Sequence, residues 1–404
     1  MTAPQDSSAI IAKPLQGVKV IEFTHMVMGP TVGLIMADLG ADVIKVEPIQ
    51  GDNTRRLKGS GAGYFPMYNR NKRSIKLDLK SEKGLALAKK LVASADVLVE
   101  NFRPGTMANL GLGYDELSAV QPALIYCSLK GFLSGPYENR VALDEVTQMM
   151  GGLAYMTGLP DRPLRAGSSV IDITGGMFGV IGILSALQER HRTGLGKYVT
   201  SALFETTAFL VGQHMAQECV SGEAPPPMSV RRSAWAIYDI FTLKGGERLF
   251  VGVVSDTLWQ RFCTEFECLA WASDEALSTN QGRVDAREWL LPAVAEMFSQ
   301  YDIHALSQRL ERAGLPFAPI NRPSDLFSDP HLMASDGLLE VTLTDGARAG
   351  TKANLPALPL EFDHQRSGLS RDLPVAGQDA ESILCELGIE AAEYCGLRNE
   401  NIVG

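Results

Sequence analysis

Strand-like and helix-like segments alternate through the first third of the chain, and this alternation restricts the possible folds more than any other feature. Apolar or alternating runs predict strands at residues 18–23, 43–46, 74–79, 96–100 and 123–128. Helical runs lie among them at 31–39, 82–93 and 114–120, and Ser81 is placed as an N-cap for the second helix. Strands separated by helices in this way form βαβ units, so the sequence predicts an α/β fold with a parallel sheet. Ligands of such sheets bind beyond the carboxyl ends of the strands.

The rest of the chain predicts a second domain between two connectors. In chain order we expect apolar helices at 175–188 and 202–217, followed by a proline-rich linker at 222–228. A hairpin at 241–254, a second connector at 322–329 and a last helix at 379–387 come after it. Gly245 and Gly246 supply the hairpin turn, and Gly388 ends the last helix. With 404 residues the chain exceeds the usual single-domain size, which favours two domains.

Charge, hydropathy and cysteine usage exclude several classes of protein. The net charge of −10 argues against binding to nucleic acid, which needs clustered Lys and Arg. The longest uncharged run, 173–188, has 16 residues and predicts a buried core helix, because a membrane span needs about 20. The first 13 residues lack the pattern of a secretory signal. Six scattered cysteines without a Cys/His cluster predict reduced thiols in a cytoplasmic protein and no metal site.

Asp172 is the strongest candidate for a reactive side chain. It stands at the start of an apolar helix, where exposed N–H groups and the helix dipole favour its ionised form. An ionised carboxylate can attack a thioester carbonyl. Gly175 and Gly176 follow, and the absence of their side chains could let a bulky thioester approach the backbone. The alternative is a purely structural N-cap.

Three further stretches could contact a ligand, although each has a structural alternative. The loop around His25 follows the first strand and leads to a helix N-terminus that could receive an anion, or is a plain strand–helix turn. Lys72, Arg73, Lys76 and Lys80 could face a phosphorylated ligand, or could protect an edge strand. Phe102 and Arg103 could hold a nucleotide base in a Pro-Gly turn.

Taken together, these stretches resemble the family III CoA-transferases, the group that contains formyl-CoA transferase and carnitine CoA-transferase. The resemblance runs in order from about Gly17 to the C-terminus. It rests on Gly29-Pro30, residues 39–47, 71–74, 77–80 and 99–102, Asp144, Asp172, residues 192–196, Gly377-Gln378 and Leu387-Gly388.

The resemblance implies a Rossmann-like large domain built from both chain ends, with a smaller α+β domain inserted between them. Its parts would be 1–220, 221–328 for the linker and small domain, and 329–404 for the return segment. Two such subunits would thread through each other as an interlocked homodimer. CoA would enter as a substrate, and no cofactor would be permanently bound.

Residue by residue, the resemblance makes Asp172 the nucleophile. It places the CoA-binding and thioester-side contacts at Met26, Val27, Pro48, Lys72, Leu77, Asp78, Leu79, Lys80, Asn101, Phe102, Arg103, Asn109, Val141 and Asp144. Val27, Pro48 and Asn109 depart from formyl-CoA transferase, as does the stretch at 228–235, which lacks its glycine run and contains Arg231-Arg232. These departures argue against formate and oxalate as substrates, while Arg55, Arg56, Lys72, Lys80 and Arg103 supply cations for CoA.

Arg231, Arg232, Arg165 and Arg140 could bind the second carboxylate of a dicarboxylic acid, or could be solvated surface residues. We therefore expect transfer of CoA from an acyl-CoA, with succinyl-CoA favoured, to a small carboxylic acid.

Two alternatives remain open at this point. An α-methylacyl-CoA racemase would need a proton shuttle, commonly a His before the Asp at 144, where this chain has Leu143. A non-catalytic CoA-binding subunit of a heteromeric transferase would not need Asp172.

Overall fold

The centre of the protein is a six-stranded parallel sheet. The computed structural model describes residues 13–230 and 233–404. The sheet consists of β1 (Lys19–Phe23), β2 (Asp42–Glu47), β3 (Arg73–Lys76), β4 (Val97–Glu100), β5 (Ile125–Lys130) and β6 (Tyr198–Ala202). Its order is β3-β2-β1-β4-β5-β6, and every neighbouring pair is parallel. This is the doubly wound order in which a ligand crevice opens between β1 and β4, so the predicted α/β class and parallel sheet are confirmed.

Helices cover both faces of the sheet, which explains why its strands are apolar on both sides. The first nine helices are α1 (Met28–Asp38), α2 (Tyr64–Tyr68), α3 (Glu82–Ala93), α4 (Thr106–Asn109), α5 (Tyr114–Val120), α6 (Asp144–Met150), α7 (Leu153–Thr157), α8 (Val170–Thr193) and α9 (Leu203–Ser221). Alternate strand residues enter two cores, one with α1 and α8 and the other with α3 and α5. Short 3₁₀ helices occupy Asn53–Arg56, Gly59–Gly63, Glu275–Leu277 and Pro323–Ser328.

The described residues divide into two compact units. The large unit comprises the described residues up to Ser229 together with Pro330–Gly404, and the small unit is the described part of Val230–Asp329. The small unit has an antiparallel sheet of β7 (Tyr238–Thr242), β8 (Arg248–Gly252) and β9 (Phe317–Pro319). Its helices are α10 (Asp256–Glu265), α11 (Leu269–Ala272), α12 (Asn280–Asp285), α13 (Arg287–Phe298) and α14 (Ile303–Ala313). They enclose a core of their own around Trp259, Phe262 and Phe298.

The return segment adds two short hairpins and three helices to the large unit. These are α15 (Pro330–Ala334), β10 (Leu338–Thr342), β11 (Lys352–Pro356), β12 (Glu361–Phe362), β13 (Gln365–Arg366), α16 (Ala380–Glu386) and α17 (Ala391–Asn399). The segment pairs with the main sheet near its edge, since the Asp78 N–H donates to the Ile402 carbonyl at 3.0 Å. Ile383 and Leu397 join the core beside α3.

Several local predictions are confirmed in detail and a few are wrong. Ser81 caps α3 by accepting a hydrogen bond from the Gly84 N–H, and the predicted hairpin is β7–β8. The strand expected at 74–79 ends at Lys76, because Leu77 already leaves the sheet to bridge Val403. The edge strand β6 was not predicted, since it is short and polar. The helix at 379–387 is not the last, because the chain turns at Gly388 and resumes as α17.

The apolar run at 173–188 forms the middle of α8. This helix is the one described segment long and apolar enough to cross a membrane. It packs on α1, β5 and β6, and Ile171, Val180 and Ile183 belong to the core on that face. Core helices of globular domains pass the same test of length and composition.

Candidate active site

Asp172 lies in the first turn of α8, and a carboxylate from another helix caps that turn. Ser169 occupies the N-cap position without a side-chain cap bond. Instead, Oδ2 of Asp144 accepts hydrogen bonds from the backbone N–H groups of Ile171, at 2.9 Å, and Asp172, at 3.1 Å. The cap satisfies donors that have no partner within the helix. The N-cap interpretation of Asp172 is therefore wrong, since Asp144 performs that role.

Gln148 fixes the capping carboxylate in place. Its side chain is fully buried, and its Nε2 donates to Oδ1 of Asp144 one turn away on α6. Its Oε1 accepts the Ala166 N–H at 2.8 Å, in the segment that leads to α8. The amide thus connects the Ala166 end of the segment before α8 directly to α6, and it connects the Asp172 end through Asp144. Because both of its functional groups are used, this contact holds the backbone of Asp172 in a defined position.

Three carboxylates and one guanidinium form a group that we call the carboxylate cluster: Asp144, Glu145, Asp172 and Arg165. Burial raises the pKa of Asp172 from 3.8 to about 7, with further increases from the negative charges of Asp144 and Glu145. Arg165 opposes the shift, and its own guanidinium is paired with Glu145. Among the described residues, no donor is hydrogen-bonded to the Asp172 carboxylate. The side chain is therefore a partly buried, basic carboxylate without a fixed partner.

Tyr68, at the end of α2, is within electrostatic range of the same carboxylate. Burial, followed by the charge of Asp172, raises the pKa of its phenol to about 12. The phenol therefore stays protonated at neutral pH and is available as a hydrogen-bond donor.

Gly175 and Gly176 have a different role from the one expected. A Cβ at Gly175 would lie 2.6 Å from Cε of Met28, and one at Gly176 would lie 2.8 Å from the Met28 carbonyl oxygen. Both glycines are buried against α1. They allow α8 to pack closely on α1, so the idea that they open space for a thioester is wrong. Their effect on the site is to fix the axis of the helix that carries Asp172.

The loops after β1 and β4 are joined at the crevice between these strands. The Asn101 side chain accepts the His25 N–H at 3.0 Å and donates to the His25 carbonyl at 2.9 Å. The Phe102 ring lies 5.7 Å from the His25 ring. Met26 adopts a left-handed φ of 64° and donates its N–H to Oγ1 of Thr54 at 3.0 Å. These contacts shape a crevice at the position where doubly wound sheets bind ligands.

Two neighbouring cavities bring together half of the residues expected to contact CoA, seven of the fourteen. A cavity of about 530 Å³ is lined by Pro48, Phe102 and the run from Leu77 to Lys80, including Asp78 and Leu79. A smaller one of about 170 Å³ is lined by Met26, Pro48 and Phe102. Val27 does not share this surface, because it is buried and its carbonyl caps the start of α1.

Two of the expected CoA-binding cations are buried in a structural network. We call Glu22, Lys45, Glu47, Asp52, Arg55 and Lys72 the ion-pair network. The Lys72 ammonium donates to Glu22 at 2.8 Å, to the Pro30 carbonyl at 3.0 Å and to Oδ1 of Asn69 at 3.2 Å. Arg55 donates twice to Glu47, at 2.8 and 2.7 Å. All three ammonium protons of Lys72 are thus used, and the geometry does not support its direct contact with CoA.

The ion-pair network holds the loop that precedes α1. The Lys45 ammonium donates to the Thr24 carbonyl at 2.7 Å and pairs with Asp52 at 3.0 Å. Lys72 contacts the first turn of α1, where its ammonium donates to the Pro30 carbonyl. Despite their burial, Glu47 and Asp52 have pKa values lowered by Arg55 and Lys45 respectively. The network is electrically satisfied, and its function is to position the crevice.

The remaining predicted residues lie on exposed segments. Lys80, Arg103 and Asn109 are exposed, and Arg103 lines a third cavity of about 510 Å³ beside Phe102. Arg56 is exposed and donates to the Gln50 carbonyl at 2.8 Å. Val141 is exposed on the loop after β5, where the Arg140 guanidinium lies 4.9 Å from the Tyr137 ring. Arg231 and Arg232 lie outside the described residues.

Sequence reasoning missed Gln148, Glu145 and Tyr68. The only signal for Gln148 is its spacing of four residues from Asp144 on a helix, which places both side chains on one face. Nothing in the sequence indicates that Tyr68 lies near Asp172, because 104 residues separate them. Within the described residues, no group of three or more His, Cys, Asp and Glu side chains is arranged to hold a metal ion.

Comparison with solved structures identifies the class of protein that this fold and site define. A CaiB/BaiF family protein from Brucella suis has a TM-score of 0.81 with this chain at 34% identity. The match covers 93% of this chain and 100% of the Brucella chain. The fold is therefore that of the CaiB/BaiF proteins.

Sequence comparison identifies the family. The family model of CoA-transferase family III matches residues 15–380. The succinate–glutarate CoA-transferase of Agrobacterium fabrum is 32% identical, over 93% of this chain and 96% of its own length. The succinyl-CoA–D-citramalate CoA-transferase of Chloroflexus aurantiacus is 33% identical, over 97% and 98%. The chain belongs to CoA-transferase family III and is an acyl-CoA:carboxylate CoA-transferase, which confirms the resemblance seen in its sequence.

Proposed function

We propose that this enzyme transfers CoA from succinyl-CoA to a small dicarboxylic acid, with Asp172 as the covalent relay. The observation that carries the proposal is the unpaired carboxylate of Asp172, whose pKa is raised to about 7 in the first turn of α8. Burial makes this anion less stable and therefore a better nucleophile than a solvated aspartate. Two relatives named for succinate or succinyl-CoA and a second dicarboxylic acid support the choice of substrates.

The first half of the proposed reaction loads CoA onto the protein. A carboxylate oxygen of Asp172 attacks the thioester carbonyl, and cleavage of the C–S bond gives an aspartyl–succinyl anhydride and CoA thiolate. The thiolate then attacks the Asp172 carbonyl carbon. Succinate leaves, and an aspartyl-CoA thioester remains.

The second half repeats these steps in reverse with the acceptor. The acceptor carboxylate attacks the aspartyl thioester, and the thiolate leaves as a new anhydride forms. The thiolate then attacks the acceptor acyl carbon, which releases the product thioester and restores the Asp172 carboxylate. Each step exchanges one acyl bond for another, so no oxidant or net proton transfer is needed.

The arrangement of the first turn of α8 suits this chemistry in two ways. The Asp144 cap and the packing of Gly175 and Gly176 on α1 fix the backbone of Asp172, so little reorganisation is needed when a thioester arrives. The Tyr68 phenol stays protonated and can donate to an oxygen that gains charge as the anhydride forms. The reaction also requires exclusion of water from both intermediates.

CoA would reach Asp172 from the crevice beyond β1 and β4. The cavity of about 530 Å³, with Pro48, Phe102 and the Leu77–Lys80 run, offers apolar walls for the adenine end. The exposed cations Lys80, Arg103 and Arg56 are suited to phosphates. We retain Asn101 as a CoA contact, at the crevice that its bonds to His25 shape, and Val141 as a contact beside the thioester.

We propose that the active form is an interlocked homodimer in which residues 221–328 form the linker and the inserted small domain. Within the large unit, Met177 and Ile181 on α8 and Phe209 and Met215 on α9 are exposed. Large apolar side chains grouped on two long helices favour burial by another copy of the chain. Analytical ultracentrifugation at micromolar concentration would give a single dimeric species; a monomer at all concentrations would contradict the proposal.

We place the reaction in the cytoplasm. All six cysteines lie within the described residues, and all six are free thiols. Free thiols persist in reducing compartments and are uncommon in secreted proteins.

The test of the substrate class is a panel of free acids incubated with enzyme and either succinyl-CoA or acetyl-CoA. We expect mass spectrometry to detect new thioesters mainly from succinyl-CoA and mainly with four- to six-carbon dicarboxylic acids. Equal use of acetyl-CoA, or preference for monocarboxylic acids, would contradict the proposed substrates.

A further inference from the structure

Arg165 and Glu145 form an ion pair at the border of the carboxylate cluster. Arg165 lies in the segment before α8, and Glu145 is the second residue of α6, beside the capping Asp144. The Arg165 side chain is 35% exposed and that of Glu145 is 52% exposed. The pair is therefore reachable from solvent, whereas Asp144 beside it is buried.

The backbone around Arg165 is tied to the backbone around Asp172. The next residue, Ala166, donates its N–H to Gln148, which donates to Asp144, which accepts the Asp172 N–H. The Arg165 Nε also donates to the Ala166 carbonyl at 3.1 Å, which orients the guanidinium at its base. These contacts tie the backbone that carries Arg165 to the backbone of Asp172.

The charge balance of the site lacks one cation when a diacid is bound. When the acceptor binds, Asp172 is the neutral aspartyl-CoA thioester, so Asp144 and Glu145 supply two carboxylates, and Arg165 is the one cation among the described groups that lower the pKa of Asp172. An acceptor with two carboxylates would add a third that does not react. Without a cation for that group, repulsion would disfavour binding of a dianion.

Stability does not explain the Arg165–Glu145 pair. Ion pairs with this exposure contribute at most about 1 kcal/mol, because water screens them and both side chains lose freedom. Exchange of Glu145 for another carboxylate therefore costs little. A planar guanidinium also accepts a carboxylate through two parallel hydrogen bonds, which a lysine cannot offer.

We propose that Arg165 binds the second, non-reacting carboxylate of the acceptor acid, and that Glu145 occupies this place until the acid displaces it. The inference rests on the proposed function and specifies how the same site selects dicarboxylic acids. Arg165 is then a specificity-determining residue, and Glu145 is a resident counter-ion that competes with the substrate. Arg140 is not needed for this role, since its guanidinium lies against Tyr137 and Phe132.

The first experiment compares Arg165→Met with the wild type on glutarate and on butyrate, with succinyl-CoA as the donor. We expect KM for glutarate to rise roughly 10- to 100-fold, the range for loss of hydrogen bonds to a charged group. The rise for butyrate should be below about threefold. The KM of Arg165→Lys for glutarate should lie between those of the wild type and Arg165→Met, because lysine keeps the charge but cannot form two parallel hydrogen bonds. Arg348→Met, at an exposed arginine in the β10–β11 loop, is the matched control.

The second experiment uses Glu145→Gln, which removes the competitor without disturbing the Asp144 cap. KM for glutarate should fall several-fold, because the amide competes less well for the guanidinium. The acid limb of kcat/KM should also move to lower pH, since Asp172 then faces only Asp144 as a negative neighbour, with Arg165 as its cation and Tyr68 protonated.

The outcomes separate this inference from the proposed function. Equal changes in KM for glutarate and butyrate in Arg165→Met would overturn the role of Arg165 while leaving Asp172 as the nucleophile. A higher KM for glutarate in Glu145→Gln would overturn the proposal that the acceptor acid displaces Glu145 from Arg165. If the wild type transfers CoA only to monocarboxylic acids, the substrate class of the proposed function itself is wrong.

Discussion

The ion-pair network and the carboxylate cluster are two groups of charges in the same unit, and they solve opposite problems. In the network, three acids face three bases, and the Glu22, Lys45 and Lys72 side chains are completely buried yet satisfied. In the cluster, three acids face one base, and the Asp172 carboxylate has no hydrogen-bonding partner among the described residues. Matched charges hold a loop in place, whereas burial and unmatched charges raise the pKa of the carboxylate that we propose as the nucleophile.

The largest contrast should appear when each group loses its central member. Replacing Asp172 by Ala should reduce CoA transfer roughly 10³-fold or more, because the variant lacks the carboxylate proposed to carry the acyl intermediate. Thioester formation from succinyl-CoA, followed by chromatography, measures the loss. Glu381→Ala, at an exposed acid in the first turn of α16, should retain full activity. Appreciable turnover by Asp172→Ala would remove the central role of the cluster.

The network should respond in stability. Lys72→Met leaves Glu22 buried without its main partner, which should destabilise the fold by about 3–5 kcal/mol. Lys83→Met is the control, because it breaks the exposed pair with Glu400, worth at most about 1 kcal/mol. Urea unfolding followed by circular dichroism compares them. Equal shifts of the midpoint would mean that the network is no more important than a surface pair.

Loss of the central charge of the carboxylate cluster should stabilise the fold, whereas loss of Lys72 from the ion-pair network should destabilise it. The pKa of Asp172 is about 7 in the fold and 3.8 for a free aspartate, so its ionisation destabilises the folded state. This cost is absent below about pH 4 and grows as pH rises to about 7. Asp172→Asn should therefore stabilise the protein by about 1–3 kcal/mol at pH 8 and by much less at pH 4. A variant that is less stable than wild type at pH 8 would contradict the raised pKa.

The smallest expected effect is a shift within the cluster. Asp144→Asn removes one negative neighbour of Asp172, so the acid limb of kcat/KM should move down by about half to one pH unit. The turnover number should also fall, because an amide cannot serve both Gln148 and the two N–H groups as acceptor. Gln148→Glu, which adds a charge beside Asp144, should move the limb upward. If the acid limb moved in the same direction in Asp144→Asn and in Gln148→Glu, that result would contradict this account.

Sequence reasoning predicted five of the six strands of the main sheet and the α3 cap at Ser81, because local patterns encode these features. It could not predict the partner of each charged residue. Lys72 and Lys80 look alike in the sequence, yet one is buried on Glu22 and the other is exposed. That difference depends on contacts between residues far apart in the chain, such as Lys72 with Glu22, 50 residues away.

The glycines beside Asp172 illustrate the same limit. A glycine pair in a sequence indicates that something approaches the backbone closely, but not what approaches. Here α1 approaches, through Met28 and Thr31, and not a substrate. The cap of α8 shows a second error of this kind. The sequence offers Asp172 itself as the cap, whereas the capping acid is Asp144, 28 residues upstream.

The most direct test of the covalent relay is to trap it. Enzyme incubated with succinyl-CoA is quenched with hydroxylamine, digested and sequenced by mass spectrometry, with Asp172→Ala in parallel. Hydroxylamine attacks the activated carbonyl of an anhydride or thioester, so we predict a hydroxamate at Asp172 in the wild type only. Active enzyme that carries the label on another residue, or on none, would contradict the account.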